Sequence, residues 1–473
     1  SGVQNLSVDG QRASRYFSDE AFWGRWNHYQ LSRTREIMFD VIIIGGGAAG
    51  FYTAIHIAEA RPDLKIAILE RGKDVLGKVK VSGGGRCNVT HAEFDPSELV
   101  KNYPRGEKEL LGPFHTYCSG DTVAFFEEKG IPLKIEGDGR MFPASNSSQT
   151  IVDCFLNEAN RLGVKLLKHS AVTDIRVCKD AMHGVSAADE QESFAWEVES
   201  IKHTYHCKKV VIATGSNPKI WKLLQNLGHS IEPAVPSLFT FNCKDKRIAG
   251  ISGVSTGATV DILDTKFNNP KITMQLRSQK SSASLMNSEG PLLITHWGLS
   301  GPAILKLSAW GAKLLNEMAY RFKIRINWLP EYSSEGVLAL FMKIKDVEAK
   351  KTVLRTKAVD TPRRLWTNLV RASGIAETDK WADVTKKQLE KLAYQLTECE
   401  LQIEGKSTFK EEFVTAGGVV LKEINFKTFE SKKLKNMYFA GEVINVDAIT
   451  GGFNFQNAWT GGYIVAQAIA GKK

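Results

Sequence analysis

An α/β fold built around a parallel sheet, carrying a β-rich insertion and a small helical one, is what the sequence predicts, and three observations carry that prediction. A β-branched apolar run, Phe39 to Ile44, meets the glycine-rich turn Gly45-Gly46-Gly47-Ala48-Ala49-Gly50. Helical apolar spacing follows from Ala48 to Ala60. Lys65 to Leu69 is then a second strand-like run, closed by Glu70. Pro62-Asp63 stops the helix between the two strands, so the segment reads as a complete βαβ unit.

The other elements follow in chain order. Residues 1–37 are polar with scattered aromatics (Phe17, Phe22, Trp23, Trp26, Tyr29), lack the apolar stretch of a secretory signal, and read as an N-terminal extension or leader. Residues 38–235 form the first part of the main domain. Within it, residues 77–90 are a second glycine-rich segment, Asp121 to Lys129 and Thr150 to Leu162 carry helical patterns, and Val164 to His169, Ala171 to Val177 and Phe194 to Val198 read as strands of a small sheet. Lys208 to Gly215 closes this part as a buried strand running into a turn. Short strands dominate residues 236–330, interrupted by the turn-rich Ser278 to Gly290 and by a helix starting at Pro302, a favoured first-turn position. Residues 331–404 turn helical, and their lysines and arginines, among them Lys343, Arg355, Arg363, Arg364, Lys387 and Lys391, outnumber nearby acids; this is expected to be a small basic helical domain. Residues 405–473 return to the main domain, with Asn436 to Glu442 as an apolar strand ending in an acid and Gly461 to Ala470 as a last helix.

The 473 residues correspond to about three domains. A hydrophobic fraction of 43% and a charged fraction of 24% are those of a globular protein and argue against disorder. The apolar runs are strand-length, far short of the roughly 20 residues a membrane helix needs, so no membrane span is expected. Seven cysteines lie scattered without C-x-x-C or metal-ligand spacing, which predicts no metal site, no disulfide framework and a reducing, cytoplasmic setting. The formal charge of +10 would draw polyanions, but from charge alone solubility is the favoured reading.

The chemistry starts at the first turn. Gly45, Gly47 and Gly50 supply a tight bend, close backbone approach to a pyrophosphate, and tight packing of helix on strand, with Ala48 and Ala49 opening the helix whose N-terminus meets the phosphates. Glu70, about 20 residues beyond Gly50, stands where a carboxylate accepts hydrogen bonds from ribose hydroxyls, beside Arg71. This is a dinucleotide site. Val210 to Ile212 running into Ala213-Thr214-Gly215 resembles the A-T-G strand of two-domain flavoproteins, and Tyr438 to Glu442, with Gly441, resembles their late strand, whose acid holds the ribityl chain. Glu442 stands where Asp is more usual.

Lys78 with Ser82-Gly83-Gly84-Gly85-Arg86-Cys87-Asn88, Thr295 to Pro302, Thr415-Ala416-Gly417-Gly418-Val419, and Ala440-Gly441-Glu442 through Thr450-Gly451-Gly452 together resemble the BaiN/YhiN-like NAD(P)/FAD-dependent oxidoreductases, over residues 38–471. The resemblance implies a Rossmann-like FAD-binding domain of the two-dinucleotide-binding flavoprotein type, split by the insertions. It implies FAD as cofactor and an activity among aminoacetone oxidation, enone reduction of the bile-acid type, and dihydrouridine synthesis in ribosomal RNA. Ala448 stands where relatives carry a glycine.

The glycines at 83 to 85 let a flat ring or an anion approach, and Arg86 is suited to offset negative charge there. Gly451-Gly452 precede Phe453 and Asn454 and then the last helix, and a helix N-terminus near the flavin favours an anionic reduced ring. Two readings of Cys87 stand: a thiol of lowered pKa beside Arg86 that delivers a proton, or a small side chain packed beneath the flavin. His296 is read as a turn residue, with a proton donor as the other reading. No C-x-x-x-x-C follows the βαβ unit, and no second G-x-G-x-x-G occurs, so NAD(P)H, if used, visits transiently as reductant. The expected function is hydride transfer from reduced FAD to a C=C bond, first of all a uracil in ribosomal RNA bound through the basic helical domain. The alternatives are a small-molecule oxidase or reductase, and a flavin-containing RNA-binding or assembly factor.

Overall fold

The computed structural model describes residues 37–178, 195–263, 284–407 and 414–471. The extension at residues 1–36, the first residue of the expected strand at Phe194, and residues 278–283 of the expected turn-rich stretch Ser278 to Gly290 lie outside them.

β1 (Ile37–Ile44), α1 (Ala48–Ala60) and β2 (Ile66–Leu69) form the βαβ unit expected of the sequence. β1 sits mid-sheet, parallel to β2 on one side and to the strand Thr204–Ile212 on the other. Val41 to Ile44 are all buried, because helices cover both faces of a parallel sheet and leave no side of the strand to water. Lys165–Leu167 and Met437–Phe439 extend the parallel core outward, within a nine-stranded sheet.

Register is what positions the site. Ile44 pairs with both Leu69 and Ile212, and Ile212 pairs with Phe439, so four parallel strands end level with one another. The segments that follow them, Gly45 to Gly50, Glu70, Ala213 to Gly215 and Ala440 to Glu442, therefore leave one carboxyl edge together, the place where open α/β sheets bind ligands.

A second body lies between the two parts of this domain. Its seven-stranded antiparallel sheet runs from Cys399–Ile403 through Phe322–Asn327, Ser255–Leu263, Ser284–Ile294, Gly298–Ser300 and Thr240–Asn242 to Gly405–Ser407. Ser284 to Gly290, read from the sequence as turn-rich, is instead strand, paired residue for residue with Ser255–Leu263 apart from one irregularity near its end. Asn287, Ser288 and Gly290 weaken its local strand signal, and the long partner strand overrides it. The strands of residues 236–330 and the helices of residues 331–404 share one apolar core, in which Phe241, Ile262 and Ile324 meet Phe341, Trp366 and Trp381. Two antiparallel strands, Ile231–Ser237 and Val414–Val419, form the neck joining this body to the main sheet.

The last helix, Phe453–Ala470, begins eight residues before the expected Gly461. It packs along α1 and carries the buried Trp459 into the main core.

Candidate functional site

A cleft of about 810 Å³ runs along the carboxyl edge of the main sheet, well within the range of cofactor sites. At one end lie Gly45 to Ala49, Glu70 and Arg71; at the other lie Ser82 to Gly84, Asn88 and Gly451-Gly452, with Lys78, Thr214, Gly215 and Glu442 among its walls.

The first turn has the geometry its glycines predicted. A Cβ on Gly45, whose φ is 114°, would lie 2.4 Å from the Ala213 carbonyl oxygen, and one on Gly50 would lie 2.0 Å from the Gly45 carbonyl oxygen. Side chains at either position would push strand and helix apart. Gly47 meets nothing within 4 Å, so its missing side chain leaves open cleft in front of the α1 N-terminus, which no side chain caps. That is room for a phosphate at a partial positive charge. Glu70 accepts hydrogen bonds from the Gly46 N–H (2.9 Å) and the Gly72 N–H (2.8 Å), which fix its carboxylate at the cleft wall.

On the other wall, Lys78 and Glu442 form an ion pair, with Glu442 mostly buried and Gly215 close beside its carboxylate. Gly441, at φ 76°, lets this loop pass within contact of Ala49. Ser82, Gly83 and Gly84 depart from helical geometry inside the segment Gly77–Gly85, and Gly84 and Gly85 meet nothing within 4 Å. With its amide turned to suit its neighbours, Asn88 donates to the Thr90 carbonyl (3.1 Å) and accepts from the Gly452 N–H (2.9 Å). Gly452 itself lies so close to Thr90 that a Cβ would sit 2.5 Å from its carbonyl oxygen. The N-terminus of the last helix is thereby pinned beside the glycine loop. Asn454 bonds both the N–H and the carbonyl of Ala448, whose backbone needs no positive φ and so tolerates the alanine.

Some expected residues do not face the cleft. Gly50, Gly85 and Phe453 do not line it; Phe453 stacks on His91 with ring centroids 4.6 Å apart. Arg86 does not line the cleft and is instead bonded to Glu136 at 2.6 Å and lies over the Phe142 ring at 4.0 Å. Cys87 is fully buried, and burial pushes its thiol up to about 12, the opposite of the lowering that proximity to Arg86 suggested. It is a packed side chain. His296 and Trp297 are exposed in the turn between Ser284–Ile294 and Gly298–Ser300 and do not line the cleft.

The structure adds Arg140 and Leu238 to the cleft lining. Arg140 follows from the pairing of Arg140–Pro143 with Thr90–His91, which brings it to the glycine-loop end, where its guanidinium bonds Asp138 at 2.7 Å. Leu238 comes from the second body, at the end of the neck. Neither had a local motif to announce it.

The cleft fits FAD: open backbone at Gly47 for phosphate, Glu70 for ribose hydroxyls, Glu442 for a ribityl chain, and the glycine loop with the last helix for a flat ring. A family model described as the HI0933-like protein Rossmann domain matches residues 39–468. A ribosomal RNA dihydrouridine synthase of Haemophilus influenzae is 28% identical, over 91% of this chain and 98% of its own. A 3-dehydro-bile acid delta(4,6)-reductase of Clostridium scindens is 29% identical, over 90% of this chain and 98% of its own. A ribosomal RNA dihydrouridine synthase of Escherichia coli is 28% identical, over 92% and 99%.

Proposed function

The chain belongs to the HI0933-like Rossmann-domain family and is an FAD-dependent oxidoreductase, and from that premise we propose that it reduces the C5=C6 bond of a uracil in ribosomal RNA to dihydrouridine. The observation that carries the substrate is that two bacterial relatives bearing that name align over 98% and 99% of their own lengths, insertions included. On this reading the protein works in the cytoplasm, with NAD(P)H as a visiting reductant.

Bound FAD supplies the hydride. The proton that completes the reduction at the other carbon would come from solvent water, and the chain's own residues bind and orient. Gly47 and the α1 N-terminus would hold the phosphates, Glu70 and Glu442 would orient the sugar and ribityl hydroxyls, and the N-terminus of the last helix, with no acidic side chain in its first turn, would favour negative charge on the reduced ring. Arg140 lines the same end, and its planar N–H groups suit a uracil carbonyl oxygen, drawing electron density from the C=C bond toward it. Cys87 takes no part in proton transfer, because nothing opens it to the cleft.

The bile-acid relative supports a second reading, reduction of a conjugated C=C bond in a small molecule by the same cleft. Mass spectrometry of ribosomal RNA nucleosides separates them. Deleting the gene should remove dihydrouridine and restoring it should return it; unchanged dihydrouridine, together with turnover of a conjugated enone by the purified enzyme, would leave only the small-molecule reading.

A further inference from the structure

Resting on the RNA reading above, we propose that single-stranded RNA is received on the solvent face of the helix Pro302–Trp310, with a base stacked on Trp310 and phosphate beside Lys306. The helices of residues 331–404 are not the receiving surface. Charge is the first argument. Residues 331–404 hold 13 lysines and arginines against 12 aspartates and glutamates, so their basic run is nearly neutralised within the segment. Residues 236–330 hold 12 against 5, and this is where the positive excess of the inserted body lies. A polyanion is drawn to the second segment.

The helix itself is the second argument. It buries Ala303, Ile304, Leu307 and Ala309 against the sheet and turns Pro302, Lys306 and Trp310 outward, spaced four residues apart on one stripe. Trp310 keeps 38% of its surface exposed and is not among the residues of the core beneath. An indole beside an ammonium one turn away is the pairing that holds a nucleotide, base on the ring and phosphate at the charge.

Placement is the third. The Ser308 hydroxyl oxygen accepts from the Phe239 N–H at 3.0 Å, and the Ala309 carbonyl accepts from Arg105 at 2.8 Å. The same guanidinium lies 3.5 Å from the Ser237 hydroxyl. Both ties flank Leu238, which lines the cleft. Trp310 follows Ala309 directly, so the exposed stripe of the helix continues from the residues tied to this loop. A uracil must leave its stack to reach a flavin, and an exposed aromatic ring on the body that supplies Leu238 is suited to hold a neighbouring base while it does so.

The test is fluorescence anisotropy of the FAD-loaded full-length protein with labelled oligouridylate, with heparin as a polyanion that cannot stack. Trp310→Ala should weaken oligouridylate binding about five- to a hundredfold and leave heparin binding unchanged, Trp310→Phe should retain most of the affinity, and Lys306→Gln should weaken both probes. Lys387→Gln/Lys391→Gln, on exposed positions of the helix Lys386–Thr397, should bind as wild type. Equal flavin content and melting temperature establish that each variant is folded. If Trp310→Ala binds oligouridylate as tightly as wild type, this surface is wrong and the RNA reading stands. If wild type itself binds oligouridylate no better than an uncharged polymer, the RNA reading falls and takes the surface with it.

Discussion

At Cys87 the backbone adopts φ 61°, and the thiol is shut between the glycine loop and the core with Ser82 as its hydrogen-bonding neighbour. A thiol held near 12 is neither a ready nucleophile nor, without a path to the cleft, a proton donor. Arg140, by contrast, reaches the cleft and is braced by Asp138 and Glu136. The two positions should respond differently. Cys87→Ala should keep turnover within about threefold of wild type and cost about 1 kcal/mol of stability for the small cavity it leaves. Arg140→Ala should lower kcat/KM by about a hundredfold at unchanged flavin content, with Arg140→Lys intermediate because an ammonium lacks the planar fork. Steady-state kinetics with flavin absorbance as the occupancy control checks both. Native Cys87 should also resist iodoacetamide until the chain is unfolded.

At the scale of elements, α1 carries a pH-sensitive group into the main core. His56 sits among Tyr52, Tyr117, Phe125 and Tyr463, and burial, reinforced by the charge of Lys129, lowers its pKa to about 3 despite Glu59 at 3.7 Å. The unfolded chain takes up a proton there below about 6.5, while the folded chain does so only near 3. The stabilisation is therefore complete above pH 6.5 and is lost as pH falls toward 3, at up to about 1.4 kcal/mol per pH unit. His56→Phe should flatten the acid side of a plot of urea-unfolding free energy against pH; an unchanged slope would assign the sensitivity elsewhere. Elements whose signals are local were legible in the sequence. β1, α1 and β2 announce themselves by pattern, and Gly45 and Gly50 by a turn with no room for a side chain. The last helix was read late because Asn454, Gln456 and Asn457 look polar, although Gln456 is wholly buried and bonds Thr90, Thr122 and Thr460. Arg140 and Leu238 were invisible because strand pairing and a neck, not a motif, deliver them to the cleft.

The whole molecule depends on how its two bodies are held, since Leu238 meets the cleft only if the inserted body is docked. Beyond the two-stranded neck, the joint is a buried cluster: Arg105 pairs with Asp447 through both carboxylate oxygens, Ser237 donates to Asp447 at 2.8 Å, and the Ala309 carbonyl takes another Arg105 N–H. Asp447 is fully buried, and burial drives its carboxyl pKa upward against the pull of Arg105 and Ser237. Its charge is thus tolerated only while Arg105 is present. Arg105→Met should strand that carboxylate and destabilise the protein by about 3–5 kcal/mol, as breaking a buried pair from one side does. Because the lone Asp447 carboxyl would favour its protonated form, the loss should shrink as pH is lowered from 7 to 5. Arg105→Met/Asp447→Leu should recover most of the stability, since no buried charge is left unmatched. Urea unfolding of the wild type, the single and the double variant measures this. If the cluster also aligns the bodies, the double variant, stable again, should still show a raised KM for the large substrate with kcat little changed. A KM equal to wild type would reduce the cluster to a stability device and leave alignment to the neck alone.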